Sequence, residues 1–295
     1  MADLAVVGHI AIDRIIDARG ERSQLGGPPT YVSLVADALG GSVEAVTKVG
    51  EDIPPEFVEQ LRRLGVDLGG MVVEGAETTR FVLDYRGAER RLSVSSVCEA
   101  IGPEDVSELP EAVLIAPIVD EIPQPTASGI DAELIALDPQ GFLREVLEDG
   151  RVQPRHWFDV GLLRRLTVFK SSDEELRLIT GEANPLWGLE KLVRLGVKVA
   201  MATRGGEGAL LATGRQRFRV PALRVRRALD PTGAGDAFMG GFLLEYLDGK
   251  EPLWCASMGA AVASCVVETL GARFDASKQE ARRRAEEIYD GAERI

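Results

Sequence analysis

Asp230-Pro-Thr-Gly-Ala-Gly-Asp-Ala-Phe238, followed by Met-Gly-Gly-Phe242 and an apolar segment, carries the strongest structural signal in this sequence of 295 residues. Gly233, Ala234 and Gly235 fall where a loop becomes a helix, so their free main-chain N–H groups and the positive end of the helix dipole converge on one point. The glycines let a phosphate approach the backbone without a clash with a Cβ atom. The stretch is neither a Walker A loop, because no GK[ST] follows, nor GxGxxG, because Phe238 stands at the third glycine position. It therefore predicts an anion site at the start of a late helix.

Asp236 is unexpected in this stretch, because a carboxylate beside an anion site repels a resting phosphate. Its position is explained if the carboxylate takes a proton from a hydroxyl that attacks the phosphate. The alternative is that Asp236 is a first-turn acid that favours the helix dipole, and that the glycines only form a tight turn. The residues of this loop by themselves leave both interpretations open.

Short apolar runs bounded by turn residues alternate with longer amphipathic stretches along most of the chain, which is the pattern of βαβ units on a largely parallel sheet. Most of the runs lack polar alternation, so we expect strands that are covered on both faces. The predicted strands are Leu4–Val7, Val43–Val49, Ala112–Ile115, Leu134–Asp138, Leu166–Lys170 and Val197–Thr203. The predicted helices are Pro28–Leu39, Pro54–Leu64, Ser172–Ile179, Pro185–Leu195, two between Gly233 and Cys265, and a last one opened by the capping box Ser277-x-x-Glu280. The expected fold class is α/β, with a doubly wound, mostly parallel central sheet flanked by helices.

One region has a different pattern. Thr78–Tyr85 and Glu89–Val97 alternate polar and apolar residues and are joined by Arg86-Gly87-Ala88, which predicts a β-hairpin. With the extended segment Ala11–Leu25 it predicts a small sheet apart from the main one. No low-complexity linker interrupts the sequence, so we expect a single domain over residues 1–295, with lid segments at about 11–25 and 72–97 inserted in it.

Composition narrows the class of protein. A net charge of −13 argues against a nucleic-acid partner or an anionic membrane surface, although it allows one local positive site for a phosphate. No apolar run approaches the roughly 18 residues of a membrane span, and Asp3 and Asp13 interrupt what a signal peptide would need. Cys98, Cys255 and Cys265 are widely spaced in apolar contexts, which is typical of reduced thiols. We therefore expect a cytoplasmic protein.

Taken together, DPTGAGDAF resembles the C-terminal signature of the PfkB (ribokinase-like) family of carbohydrate and nucleoside kinases, and the resemblance extends over essentially the whole chain. It implies a phosphotransferase that moves the γ-phosphoryl group of ATP, with Mg²⁺, to an alcohol group of a small polyol or sugar. In this interpretation Asp236 is the base, and the amides of Gly233, Ala234 and Gly235 stabilise the charge on the phosphoryl oxygens. The resemblance also points to a monovalent cation near Asp230 as a further cofactor.

The resemblance also implies contacts to the acceptor. Gly8-His9-x-x-x-Asp13, followed by Leu25-Gly26-Gly27, looks like the family's sugar-binding start, so Asp13, Gly26 and Gly27 are expected to hold substrate hydroxyls. The family commonly has Asn shortly afterwards, and Thr30 is its expected substitute here. From the residues alone, a turn capped by Asp13 and a glycine loop before the next helix remain an open alternative.

Three further motifs are similar to the family's donor side. Ser172-Asp-Glu-Glu175 falls where the family carries NxxE, which implies that Glu175 acts on Mg²⁺ through water and that Ser172 lies near the nucleotide. The competing interpretation is a capping box, and both can hold at once.

Thr203-Arg-Gly-Gly-Glu-Gly208 resembles the family's TxGxxG nucleotide loop, which implies that Thr203, Gly205 and Gly208 bind the nucleotide, with Gly205 near the phosphates. A simple β-turn is the alternative. Gly271-Ala272 matches the family's GA near the adenine pocket.

Substrate choice depends on the lid and on one loop. Glu77-Thr-Thr-Arg80 and Asp138-Pro-Gln-Gly-Phe-Leu-Arg144 look similar to the archaeal branch of the family that includes myo-inositol kinase, so Arg80 and Gln140 are expected to face a cyclic polyol, with myo-inositol as the first candidate. The alternatives are a ribose or nucleoside kinase of the same family and a ligand-sensing protein that keeps the fold without turnover. The exposed lid edges predict a homodimer.

Overall fold

The computed structural model describes residues 2–87 and 91–295, and the elements below belong to these residues. The strands are β1 Leu4–Val7, β2 Ala11–Asp17, β3 Gly20–Gly26, β4 Val43–Val46, β5 Val49–Gly50, β6 Val72–Val73, β7 Thr79–Asp84, β8 Arg91–Ser96, β9 Ala112–Ile115, β10 Leu134–Leu137, β11 Arg144–Val146, β12 Val152–Pro154, β13 Val168–Ser172, β14 Val199–Thr203, β15 Ala209–Thr213, β16 Gln216–Val220 and β17 Glu293–Arg294. The helices are α1 Pro28–Leu39, α2 Pro55–Arg63, α3 Gln124–Gly129, α4 Val160–Leu163, α5 Asp173–Thr180, α6 Pro185–Leu195, α7 Ala234–Leu247, α8 Pro252–Val266 and α9 Lys278–Asp290.

The main sheet has the order β17-β16-β15-β14-β13-β10-β9-β1-β4. The six strands from β4 to β14 run parallel, whereas β15, β16 and β17 add an antiparallel edge. This confirms the expected α/β fold class, a ribokinase-like fold. The antiparallel edge was not predicted from the sequence.

Helices cover both faces of this sheet, which explains the unbroken apolar runs. In β1, Leu4 and Val6 join the core formed with α1, α7, α8 and α9, whereas Ala5 and Val7 join the core formed with α4, α5 and α6. Successive side chains of a strand point to opposite faces, so a strand between two helical layers needs apolar residues at every position.

A separate sheet of order β3-β2-β7-β8 forms the lid. Strand β2 pairs in parallel with β7 and antiparallel with β3, and the hairpin β7–β8 is antiparallel as predicted. Its small apolar core includes Ile15, Phe81, Leu83 and Val94. Ala88, Glu89 and Arg90, which the sequence assigns to the hairpin, lie outside the described residues.

Several predicted boundaries were wrong by a few residues. The expected strand Val43–Val49 is two short strands, β4 and β5, in different sheets, and β13 begins at Val168 rather than at Leu166. No helix of the described residues is long and apolar enough to cross a membrane.

Candidate active site

A cavity of about 590 Å³ lies where the carboxyl ends of the parallel strands meet the lid. Lys170 and Ser172 come from the end of β13, Thr203 from the end of β14 and Gln140 from a 3₁₀ turn after β10. In an open α/β sheet this edge is where ligands bind. Further lining residues are Ala11, Asp13, Gly27, Tyr31, Phe81, Leu83, Leu92, Ile118, Leu143, Arg144, Val152, Glu175, Gly233, Gly235 and Asp236.

The loop predicted to bind an anion, Asp230–Gly235, forms one wall of this cavity and is called the anion loop below. Gly233 caps α7 with φ +75°, a left-handed conformation that suits glycine, and a Cβ atom there would lie 2.2 Å from the Tyr31 ring. A Cβ atom on Gly235 would lie 2.8 Å from Lys170 Nζ. Backbone geometry and close packing therefore both require glycine at position 233, whereas a side chain at position 235 would displace the Lys170 ammonium. The absence of a side chain at Gly235 places this ammonium beside the N–H groups of the helix start.

Asp236 lies in the first turn of α7 and is half-buried. Gln140 Nε2 donates a hydrogen bond of 3.2 Å to Asp236 Oδ1, and Arg144 Nη2 holds Gln140 Oε1 at 2.9 Å. Burial, reinforced by the charge of Asp138, raises the pKa of Asp236 to about 7, against the opposing effect of Lys170 and Arg144. A carboxyl group with this pKa exchanges a proton readily near neutral pH, as general-base chemistry needs.

Lys170 and Asp138 form a buried ion pair, with 2.5 Å between Nζ and Oδ2. Burial alone would lower the pKa of Lys170, but the carboxylates of Asp138, Glu175 and Asp236 raise it, so the ammonium keeps its charge. No role for Lys170 was predicted from the sequence. The sequence nevertheless contains a signal for it. Lys170 and Asp138 each stand at the end of an apolar strand, and charged residues at the ends of neighbouring parallel strands mark the edge of the sheet where ligands bind.

A second cavity, of about 390 Å³ and mainly apolar, adjoins the first. Both cavities include Thr203, Pro231 and Gly235 in their walls, so they meet at the anion loop. The second cavity is also lined by Gly205, Gly206, Gly208, Ala222, Leu223, Val225, Phe238, Ala260, Ala263 and Val267. Of the expected donor-side residues, Thr203, Gly205 and Gly208 therefore lie together.

Comparison with known proteins agrees with this arrangement. The model of the pfkB family of carbohydrate kinases matches residues 149–279, a range that includes the anion loop, Lys170 and Glu175. These residues carry a pfkB family carbohydrate kinase domain. Proteins of this family are kinases, and the chain is a phosphotransferase with an alcohol group as acceptor.

Individual pfkB relatives differ in substrate. A cytidine kinase of Thermococcus kodakarensis is 28% identical over 280 residues, which cover 92% of this chain and 98% of that kinase. An inositol 3-kinase of Arabidopsis thaliana is 26% identical over 287 residues, which cover 92% of this chain and 75% of that kinase. A solved pyrophosphate-dependent kinase of the ribokinase family, complexed with a pyrophosphate analog and myo-inositol, has a TM-score of 0.79 at 21% identity and covers 95% of this chain and 99% of its own. At this identity the structure shows a shared fold.

On the acceptor side, Asp13 and the glycine pair lie close together. A Cβ atom on Gly26 would lie 2.3 Å from Asp13 Oδ2, and one on Gly27 would lie 2.1 Å from the His9 carbonyl oxygen. The glycines thus allow the start of α1 to approach the strand that carries Asp13. Asp13 and Gly27 line the larger cavity.

Three expected site residues lie elsewhere. Thr30 is fully buried and its hydroxyl donates to the Gly26 carbonyl at 2.8 Å, so it does not line the cavity. The Arg80 guanidinium is paired with Asp52. Gly271 does not line the apolar cavity, and a Cβ atom added to it would lie 3.6 Å from the Gln24 side chain. Each was assigned to the site from its spacing in the sequence. Spacing does not show which partner a side chain contacts once its strand or helix has packed.

Ser172 and Glu175 form the capping box of α5. The main-chain N–H of Ser172 donates to Glu175 Oε2 at 2.7 Å, and that of Glu175 donates to Ser172 Oγ at 3.2 Å. Both residues also line the larger cavity, so the capping interpretation does not remove them from the site.

Mg²⁺ is the metal that a pfkB kinase implies, and the residues at the site fit it. Glu174 and Glu175 bring hard carboxylate oxygens to the larger cavity. Among the described residues no group of three or more potential ligands forms a protein cage. The two glutamates are compatible with Mg²⁺, because this ion keeps several waters and is bound through one or two carboxylates together with substrate phosphates.

Proposed function

We propose that this protein transfers the γ-phosphoryl group of ATP to a hydroxyl group of a cyclic polyol, with myo-inositol as the first candidate. The observation that supports this proposal is the junction of two cavities at the anion loop. The apolar cavity suits a nucleobase, the larger one suits a polar acceptor, and Gly235 lies in the wall of both.

In the proposed reaction, Asp236 accepts the proton of the acceptor hydroxyl as its oxygen attacks the γ-phosphorus. The bond between this phosphorus and the β-phosphate oxygen breaks, and ADP leaves. The amides of Gly233, Ala234 and Gly235, with the Lys170 ammonium beside them, stabilise the negative charge on the phosphoryl oxygens. Gln140, held by Arg144, orients the Asp236 carboxylate.

Mg²⁺, when bound, neutralises charge on the phosphates. Glu175 is the residue we expect to hold it through water, while the capping box fixes this carboxylate at the start of α5.

The donor assignment is supported by the apolar cavity. This cavity can bind a flat aromatic base through apolar contacts with Phe238, Ala260, Ala263 and Val267. Pyrophosphate has no apolar group that could bind there. We therefore expect ATP to support turnover and pyrophosphate to fail, which separates this protein from the pyrophosphate-dependent neighbour of the same fold.

The acceptor assignment is supported by the distribution of polarity in the larger cavity. Asp13, Gln140 and Arg144 provide acceptors and donors for several hydroxyls, while Phe81 and Leu83 of the lid provide an apolar surface. A cyclic polyol has a polar rim and C–H faces, and it matches both. The inositol 3-kinase relative points the same way.

A nucleoside is the second candidate, and a specific observation favours it. Phe81, Leu92, Ile118, Leu143 and Val152 form an apolar wall on which a base can stack while Asp13 holds the ribose hydroxyls. The cytidine kinase relative agrees with this alternative.

The test is an acceptor screen with the purified protein, measuring ADP release with myo-inositol, ribose, cytidine and adenosine in the presence of ATP and Mg²⁺. We expect the highest kcat/KM with myo-inositol; cytidine or adenosine in first place would assign the second candidate. Binding of an acceptor with no ADP release would support a ligand-sensing protein and contradict the proposal.

Asp236→Asn tests the base in the same assay. We expect kcat to fall by about 10² to 10⁴ while nucleotide affinity changes little. Asp248→Asn, the same change at the exposed far end of α7, is the matched control and should leave kcat unchanged. Equal turnover of the two variants would remove Asp236 from its proposed role.

The homodimer and the cytoplasmic location remain predictions. In the lid, the Val94 N–H donates to the Gly150 carbonyl at 2.8 Å, so the β8 edge is partly covered and β3 is the edge we expect to pair. Light scattering that gives the mass of one chain would exclude the dimer.

A further inference from the structure

Asp230, the first residue of the anion loop, is a buried carboxylate with donors at both oxygens. Arg22 Nη2 donates to Oδ2 at 2.9 Å, and Gln24 Nε2 donates to the same oxygen at 3.2 Å. The main-chain N–H of Thr232 donates to Oδ1 at 3.0 Å. The Asp230 side chain is only 3% exposed, so these groups replace the water it would otherwise bind.

Two of the three donors reach Asp230 from the lid. Arg22 and Gln24 are two residues apart in β3, so their side chains leave the strand on the same face. Strand β3 lies beside the loop that precedes α7, and Arg19, from the turn before β3, donates to the Leu229 carbonyl at 3.1 Å. The lid is thus hydrogen-bonded to two adjacent residues, Leu229 just before the anion loop and Asp230 at its start.

The charges in this cluster balance. Asp17 receives Arg22 Nη1 at 2.7 Å and Arg19 Nη2 at 2.6 Å, so two carboxylates face two guanidinium groups. Burial alone would raise the pKa of Asp230, but the hydrogen bonds from Thr232, Arg22 and Gln24 lower it, and the carboxylate stays ionised.

A monovalent cation near Asp230, which the resemblance to the pfkB family raises, does not fit these residues. Three N–H groups already take most of the lone-pair directions of the Asp230 carboxylate, and the Arg22 guanidinium supplies its counter-charge. The buried oxygens Gln24 Oε1 and Thr232 Oγ1 have no hydrogen-bond partner among the described residues, but a cation held by them would enter the same cluster as this guanidinium, which repels it. A guanidinium group also takes the neighbouring Leu229 carbonyl. An added cation would bring an uncompensated positive charge beside the buried Asp230, in a cluster whose charges already balance, which is costly.

We propose that Arg22 supplies at Asp230 the positive charge that a monovalent cation would bring, so that nucleotide binding and turnover do not depend on K⁺ or Na⁺. Arg22 is a positioning residue in this proposal. It holds Asp230, Asp230 holds the N–H of Thr232, and Thr232 leads directly into Gly233 at the start of the helix. The inference rests on the donor half of the proposed function and not on the identity of the acceptor.

The first experiment uses the unmodified protein. Affinity for a non-hydrolysable ATP analogue is measured by calorimetry with Mg²⁺ in potassium, sodium and tetramethylammonium chloride at equal ionic strength, and turnover is measured with any acceptor that the screen identifies. We expect dissociation constants within about twofold across the three salts, since a site without differential binding gives no linkage. An affinity or rate higher by about tenfold in K⁺ than in tetramethylammonium would overturn the proposal.

The second experiment tests Arg22 itself. In tetramethylammonium, Arg22→Ala should weaken binding of the analogue about tenfold or more, because Asp230 loses its ionic partner, and K⁺ should restore much of that loss. Arg22→Lys should keep most of the affinity without K⁺. Arg14→Ala is the matched control, because Arg14 is also a lid arginine with a carboxylate partner, Glu21, but both of these side chains are about half exposed, whereas Asp230 is buried.

The outcomes separate the possible roles. Unchanged affinity of Arg22→Ala in tetramethylammonium would show that the charge is not needed. A loss that K⁺ does not restore, in a protein with unchanged circular dichroism, would make Arg22 a structural residue and also overturn the proposal. If Arg22→Ala does not fold, the salt series on the unmodified protein and on Arg22→Lys decides. Absence of turnover with every acceptor would contradict the proposed function, while the calorimetric result would still decide this inference.

Discussion

Substitution of Gly233 by alanine probes the anion loop with a change of one methyl group. Two costs are visible in the structure. The backbone at this position has φ +75°, where an L-residue is disfavoured by about 1–2 kcal/mol. The new Cβ atom would also lie 2.2 to 2.3 Å from three atoms of the buried Tyr31 ring, which would have to shift toward the cavity to relieve the clash.

Gly249 provides a matched control at the other end of α7. Its φ is also +75°, but an added Cβ would meet nothing within 4 Å. Gly249→Ala should therefore lower the free energy of unfolding by the backbone cost alone, about 1–2 kcal/mol. Gly233→Ala should cost about 1–3 kcal/mol more, the usual penalty for overpacking a core. Urea denaturation of the two variants measures the difference.

Activity should separate the two variants further. If the methyl group moves the loop, the amides of Gly233 to Gly235 no longer point at the phosphoryl group, and loss of one such donor costs about 10² to 10³ in kcat. Gly249→Ala should turn over ATP at the normal rate. In the double variant Gly233→Ala/Tyr31→Ala the destabilisations should fall short of additivity, because removing the ring removes the clash. Equal stability and equal turnover of the two single variants would refute both the packing argument and the role of the loop.

Two further predictions concern the charges around the base. For the free protein, kcat/KM should rise about tenfold per pH unit below the pKa of Asp236, which burial raises to about 7, and level off above it, because only the ionised carboxylate accepts a proton; this limb should be absent in Asp236→Asn. Lys170→Met should move the midpoint of the pH profile upward, since the ammonium lowers the pKa of Asp236, and should reduce stability by about 3–5 kcal/mol by leaving Asp138 without its partner. Lys170→Met/Asp138→Leu should regain stability but not turnover, and a double variant with normal turnover would exclude Lys170 from the reaction.

Some elements could be predicted because their signals are local. Pro28–Leu39 and Pro185–Leu195 were predicted with the observed bounds, since proline at the first helical position and glycine after the last one mark both ends within the sequence. The antiparallel strands β15 to β17 were missed. The exposed residues of β16 and the two-residue length of β17 give little apolar periodicity, and β17 joins the sheet only because the end of the chain returns to β16.

Within the candidate site the same distinction applies. The start of α7, with its glycines and Asp236, was predicted from nine consecutive residues, because helix geometry fixes where the amides of adjacent residues point. Arg80 and Thr30 do not line the larger cavity, because each has a hydrogen-bond partner that sequence spacing does not show: Asp52 for Arg80 and the Gly26 carbonyl for Thr30.

The sequence by itself determined the α/β class, the anion loop and the resemblance to the pfkB family, since periodicity, caps and a contiguous motif depend only on neighbouring residues. The tertiary structure alone decided that Lys170 meets Asp138 and that Arg22 meets Asp230, pairs separated by 32 and 208 positions. Such contacts arise when strands and loops pack side by side, and the partner that a charged side chain finds is set by that packing and by its exclusion of water.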